Sequence, residues 1–327
     1  KMGIKGSSTV TLYFENCKVP VENVLGEVGQ GGPIAFNVLY TGRYKLGVTT
    51  AAGAKYTINA AYDFAKEREQ FSRSITQFDM IKAKFAKMLT RTWEADNVNY
   101  MTSGSIDKSI AMLDKDSDDY YLGMQKVIED HAIEASVCKI IGSEALAYVV
   151  DESVQILGGA GFIEEYGLAT LYRDERINRI FEGTNEINRL LIAGMTLKKS
   201  ILEELPIRDS ISIRENDWFS CLANAENQTE RVVEYCRSAC LMTLNQLILK
   251  YGQDMKNNQW IQEPFADMLC SLAIVDTGIK RSKKIKDSNE LKEYNEILNL
   301  SICHHFKQIN NNMDTILSDI CTDKEYL

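Results

Sequence analysis

In the run Arg179-Ile180-Phe181-Glu182-Gly183-Thr184-Asn185-Glu186-Ile187 a carboxylate stands on a turn just ahead of an apolar-periodic helix. Gly183 permits backbone angles that other residues resist, and Thr184 is a good N-cap for a helix with the stripe Ile187, Leu190, Leu191, Ile192. The turn therefore points Glu182 away from the helix it precedes. A seat between Phe181 and that helix would partly desolvate the carboxylate, which favours its taking up a proton. Glu182 is the candidate general base for proton abstraction. On the local sequence alone, a solvated turn glutamate is the favoured reading, because most turn glutamates are solvated.

The elements that must position this turn are helical. Ser8–Phe14 alternates like a strand, and Gly29, Gly31 and Gly32 close the front segment, so a β element is expected within residues 1–30. Helices are predicted over about 34–66, rich in the small residues Gly47, Ala51, Ala52, Gly53 and Ala54, and over 78–102. The polar stretch 104–118 reads as a loop. A long helix then runs from about 119 to 158, stopped by Gly158-Gly159-Ala160-Gly161. Two shorter helices, 166–180 and 185–199, bracket the turn and complete a bundle of four to five helices. Residues 200–217, with Pro206, read as a linker. Three amphipathic helices over 218–252, 256–284 and 288–320 then form a second helical unit. The fold class is mostly all-α, divided at 1–30, 31–199, 200–217 and 218–327.

The chain of 327 residues is 45% hydrophobic, which suffices for a substantial core, and its four prolines leave long helices uninterrupted. A net charge of -9 argues against nucleic-acid binding and gives no general attraction to anionic membranes. The basic stretch Lys280–Lys286 reads as a solvated helix end. Eight cysteines are scattered singly, and His304-His305 beside Cys303 has no metal-ligand spacing, so reduced thiols and no metal are expected. No apolar run reaches membrane-spanning length. The chain opens on Lys1 and enters a strand pattern at once, so a fragment of a longer protein is expected.

Tyr172-Arg173-Asp174-Glu175-Arg176-Ile177 through Glu182-Gly183-Thr184 and Arg189 resembles the C-terminal signature of acyl-CoA dehydrogenases. The residues around Glu182 and the three-helix tail look most like the very-long-chain branch and its complex I assembly paralogue. Ala65–Phe71 resembles the family element whose arginine meets the FAD pyrophosphate, a role suited to the planar guanidinium. Here Ser72 and Asp79 stand where the family has glycine and glutamine. Gln155–Phe162 resembles the family segment that reaches the FAD of a partner subunit. The resemblance thus assigns cofactor contacts to Arg68, Gln70, Phe71, Phe78, Gln155, Gly158, Gly159, Thr184 and Glu186. Substrate contacts fall to Arg43 and Gly183, and the base is Glu182. Gly42 stands where isovaleryl-type and long-chain-type relatives carry their base.

What the resemblance implies is FAD-dependent α,β-dehydrogenation of a long or very-long-chain acyl-CoA to the trans-2-enoyl-CoA in mitochondrial β-oxidation. Electron-transferring flavoprotein would be the acceptor and a homodimer the assembly. The alternative is a complex I assembly scaffold of the same fold. Relatives of this branch sit on the inner mitochondrial membrane through a longer linker, whereas residues 200–217 are short and not clearly amphipathic. The family's N-terminal helical domain and most of its β-domain have no counterpart in this sequence.

Overall fold

The computed structural model describes residues 1–205 and 207–321; Pro206 of the expected linker and the last six residues of the expected terminal unit lie outside them. Twelve α-helices occur among the described residues. Six carry the first unit: α1 (Gly31–Glu67), α2 (Asp79–Ala111), α3 (Tyr120–Asp130), α4 (Ala132–Leu157), the single turn α5 (Gly159–Phe162) and α6 (Leu168–Glu175). Helix α7 (Asn185–Ile201) closes the bundle. The tail holds α8 (Ile207–Asn216), α9 (Trp218–Ala223), α10 (Gln228–Tyr251), α11 (Gln259–Ser282) and α12 (Ser288–Ile320).

Five expectations change in the structure, each for a physical reason. The alternating segment 8–14 forms no strand, because among the described residues no other backbone pairs with it. Val10, Leu12 and Phe14 are all more than 70% exposed, so neither a ladder nor a core holds them. The only sheet among the described residues is a two-residue hairpin, β1 (Glu69–Gln70) against β2 (Arg73–Ser74). Helix α2 runs on through the polar stretch to Ala111, since Thr102 and Ile106 are buried and Cys138 donates to the Thr102 hydroxyl at 3.3 Å. The long helix of 119–158 is broken at His131, whose Nδ1 lies 2.8 Å from the Val127 carbonyl and competes for it. Within the linker, α8 forms because Ile211 is buried and Arg214 Nε donates to Ser238 Oγ at 2.9 Å. The helix expected over 218–252 is likewise two, with Asn227 capping α10 by accepting from the Glu230 amide at 3.0 Å.

Helices α1 and α4 form the spine and run in the same direction, Gly47 lying against Cys138, Gly142 against Thr50 and Gly53 against Leu146. Backbone meets backbone there: a Cβ on Gly142 would fall 2.7 Å from the Gly47 carbonyl oxygen. One core continues from this spine into the tail, joining Ala51, Ala95, Ile140 and Ile192 to Phe265, Ile274, Leu298 and Ile302. The two helical units are therefore packed as one body through α2, α7, α11 and α12.

Polar ties cross the same boundary. Arg189 Nε donates to Asp267 at 2.7 Å and its Nη2 to Glu144 at 2.9 Å, linking α7, α11 and α4. Burial works against the guanidinium's charge, but Glu144 and Asp267 outweigh it and raise its pKa. Burial pushes the Asp267 carboxyl up, with Arg189 opposing. Replacing Asp267 with alanine should cost about 2 kcal/mol of stability, because Glu144 still pairs the arginine but one buried donor is orphaned. A denaturation midpoint unchanged by that substitution would contradict the tie. No helix among the described residues is long and apolar enough to cross a membrane.

Candidate active site

The turn ahead of α7 is built on two consecutive left-handed residues, Glu182 at φ +57° and Gly183 at φ +81°. Glycine accepts this conformation freely; a glutamate there costs about 1–3 kcal/mol and persists only where its surroundings fix it. They do so through the carbonyls. Arg43 Nε donates to the Glu182 carbonyl at 2.9 Å, Lys139 Nζ to the Gly183 carbonyl at 2.9 Å, and Asn188 Nδ2 to those of Gly183 and Thr184 at 2.8 and 3.0 Å. Thr184 caps α7, its hydroxyl accepting from the Ile187 amide at 3.3 Å.

The side chain of Glu182 takes a different seat from the one its neighbours suggest. Phe181 and Ile187 face solvent at 39% and 51% exposure, and the half-buried carboxylate instead lies over Gly42 of α1. A Cβ on residue 42 would sit 2.7 Å from Glu182 Cδ, so the carboxylate occupies the space that the glycine leaves, and a larger residue would displace it. With the carbonyls turned into the bundle, the amides of Glu182 and Gly183 donate to no group among the described residues. A carboxylate and free backbone donors thus share one turn. That is the pairing needed to take a proton from a carbon next to a carbonyl while stabilising the developing oxyanion.

Arg43, expected near the substrate, is 3% exposed and stacks near Tyr40 at 5.3 Å. Burial lowers its pKa, while Tyr40 and Glu182 oppose that, and its buried Nη1 has no partner. Glu186, in the first turn of α7, is exposed. Its carboxylate is held below the usual range by hydrogen bonds from its own backbone amide and Thr184.

The other candidate cofactor residues gather elsewhere. Arg68 caps the far end of α1, exposed, and the hairpin beyond it turns on Phe71 and Ser72 at φ +53° and +65°. Both central positions of that turn require positive φ, so Ser72 stands where glycine would be unstrained. Gln70 and Phe71 are exposed at the tip, and Phe78 packs edge-on to Phe71 at 6.2 Å with Arg73 over its ring at 4.1 Å. Asp79 begins α2 in an exposed pair with Lys82. Because α4 runs parallel to α1, its end reaches the same region: Ala65, Ile75, Ile156 and Leu157 share one core cluster. Gln155, Gly158 and Gly159 are thus displayed there, all three exposed. Arg43 and Arg68 are roughly 37 Å apart at ~1.5 Å per helical residue. The site residues therefore form two groups at opposite ends of the spine. A short ligand bound to one chain cannot touch both.

Lys139, Asn185 and Asn188 were not singled out by sequence, although they line the turn. A signal for Lys139 exists: it is a lone charge inside the apolar run Val137-Cys138-Lys139-Ile140-Ile141, and a buried lysine demands partners. The two asparagines resemble ordinary helix-start residues and carry no such mark.

A half-buried carboxylate on a strained turn, beside free backbone donors, is an arrangement able to act on a carbon acid. Residues 29–197 match the family described as acyl-CoA dehydrogenase, C-terminal domain. The chain belongs to the acyl-CoA dehydrogenase family through this domain. It is similar to a probable acyl-CoA dehydrogenase of Bacillus subtilis (strain 168), 38% identical over 291 residues, covering 87% of this chain and 49% of that protein. The mitochondrial very-long-chain specific acyl-CoA dehydrogenase of Bos taurus is 31% identical over 344 residues, covering 98% of this chain and 50% of that protein. The crystal structure of an acyl-CoA dehydrogenase complexed with FAD from Bacillus anthracis superposes with a TM-score of 0.93 at 35% identity, over 99% of this chain and 56% of that one. The chain spans about half the length of these relatives. They include bacterial and mitochondrial proteins, so membership fixes the family and leaves both the branch and the compartment open.

Proposed function

We propose that this chain carries the base-bearing part of an FAD-dependent acyl-CoA dehydrogenase that converts a long or very-long-chain acyl-CoA to its trans-2-enoyl-CoA. The observation that carries the reading is the Glu182 carboxylate held over Gly42 beside its own free backbone amide. In this reading Glu182 removes the α proton, and its amide donates to the thioester carbonyl, which makes the α C–H more acidic. Arg43 fixes the Glu182 carbonyl from beneath the turn, and in this reading it supports the substrate contact through that carbonyl. Gly183 keeps the turn compact.

The residues at the far end of the spine suit the FAD diphosphate and its neighbours: an exposed guanidinium at Arg68, Gln70 and the aromatic rings Phe71 and Phe78, with Gln155, Gly158 and Gly159 opposite. Thr184 and Glu186 would contact the cofactor from the turn. When bound, the flavin supplies the acceptor for the hydride that leaves the β carbon. The separation of the two residue groups is met if each chain serves its partner's cofactor, which is the homodimer that the resemblance implies. Electron-transferring flavoprotein is the proposed acceptor of the electrons. The long-chain assignment is supported by the tail: the match to the Bos taurus enzyme extends through α8–α12.

The test is made on the full-length protein containing this chain. It should purify with FAD, and addition of palmitoyl-CoA should bleach the oxidised flavin band and yield the 2-enoyl thioester. Full-length protein that holds FAD yet shows no bleaching with any acyl-CoA from four to twenty carbons would overturn the enzymatic reading.

A further inference from the structure

Lys139 is among the largest fully buried side chains, and its flanking residues Val137, Cys138, Ile140 and Ile141 all belong to the core. An ammonium in such surroundings is costly unless it is hydrogen-bonded, and its partners show what it is for. Nζ donates to the Gly183 carbonyl at 2.9 Å and to Asn185 Oδ1 at 2.5 Å. Asn185 in turn donates to Ser143 Oγ at 3.2 Å and to Glu144 at 3.1 Å. The lysine on α4 therefore ties together the turn, the first residue of α7 and its own helix.

We propose that Lys139 is the positioning residue of the candidate base: by holding the Gly183 carbonyl it locks the left-handed backbone of Glu182 and so places the carboxylate over Gly42. This rests on the reading of Glu182 as base and names the part that makes its geometry reproducible. The groups facing the ammonium are Arg43 from α1, Glu144 from α4, and Glu186 and Arg189 from α7. Burial brings the Lys139 pKa down to about 8, with Glu186 and Glu144 opposing and Arg43 and Arg189 assisting. Removing the ammonium leaves Asn188 as the remaining donor to the Gly183 carbonyl. The turn then stays folded but its Gly183 carbonyl loses one of its two donors, and a shift of ~1 Å at the carboxylate is worth on the order of 10²-fold in rate.

The experiment uses full-length protein with Lys139→Met, which keeps the bulk and removes the donor, and Lys139→Gln, which restores an N–H donor without charge. In Lys139→Met, kcat with palmitoyl-CoA should fall on the order of 10- to 100-fold while KM changes less than about threefold. Amide hydrogen exchange over residues 181–188 should quicken. Lys139→Gln should recover at least a third of the lost rate on a logarithmic scale. A Lys139→Met enzyme within twofold of the parent in kcat overturns the proposal, as does a Gln variant no better than the Met variant. Glu182→Gln run alongside separates the two levels. Turnover surviving in Glu182→Gln refutes the base assignment itself, whereas its loss together with an unaffected Lys139→Met refutes only the positioning role.

Discussion

Glutamine at position 182 should lower kcat by on the order of 10³-fold, with acyl-CoA binding and thermal stability nearly unchanged. The amide has the shape of the carboxylate and fills the same space over Gly42, yet it cannot take up a proton. Nothing in the fold depends on the side chain, because the turn is held through backbone carbonyls by Arg43, Lys139 and Asn188. The loss should therefore fall on the chemical step. Steady-state turnover with calorimetric binding of the enoyl-CoA product measures both halves, and a variant that keeps a tenth of the parent rate would remove Glu182 from the mechanism.

The same geometry yields a sharper version. A Cβ at position 42 points into the space of the Glu182 carboxylate, 3.0 Å from its Oε1. A glutamate placed at 42 in a chain whose Glu182 is replaced by glycine should deliver a carboxyl group to that volume from α1. Part of the lost turnover should then return. Recovery below twofold would mean that the volume over Gly42 is not where the proton is taken.

The second large effect concerns the fold. Gly142→Val should destabilise the protein by about 3 kcal/mol or more, at the upper end of overpacking effects. Its Cβ would meet the Gly47 carbonyl oxygen at 2.7 Å and the Gly47 Cα at 2.9 Å, and backbone atoms of a long helix cannot rotate aside. Helices α1 and α4 would have to separate along their shared length. The Asn99 side chain, which donates to the same Gly47 carbonyl at 3.0 Å, would lose its partner. Gly104, by contrast, faces open space on α2, so Gly104→Ala should be neutral or stabilise by up to ~1 kcal/mol through helix propensity. Urea unfolding of the two variants compares them directly, and equal midpoints would show that the α1–α4 contact is looser than described.

Much of this protein is legible in one dimension because its signals are local. Helix periodicity, the Thr184 cap and the glycine after Glu182 depend on neighbours within a turn, and they mark the helical bundle and its turn without any tertiary information, while the family resemblance singles out Glu182 on that turn. Polar composition misleads at 104–118 and 200–217, where burial of Ile106 and Ile211 against distant helices overrides it. The segment 8–14 shows the converse: alternation describes a strand that could form, but a strand needs a partner, and pairing is a property of the whole fold. Position 42 is the clearest division between the two levels. Sequence marks Gly42 as a place without a base, whereas only the packing of α1 beneath the turn shows that its missing side chain is the room in which the Glu182 carboxylate sits. The buried Lys139 clamp and the distance between the two site groups belong to that second level too, since both arise from helices far apart in sequence being laid side by side.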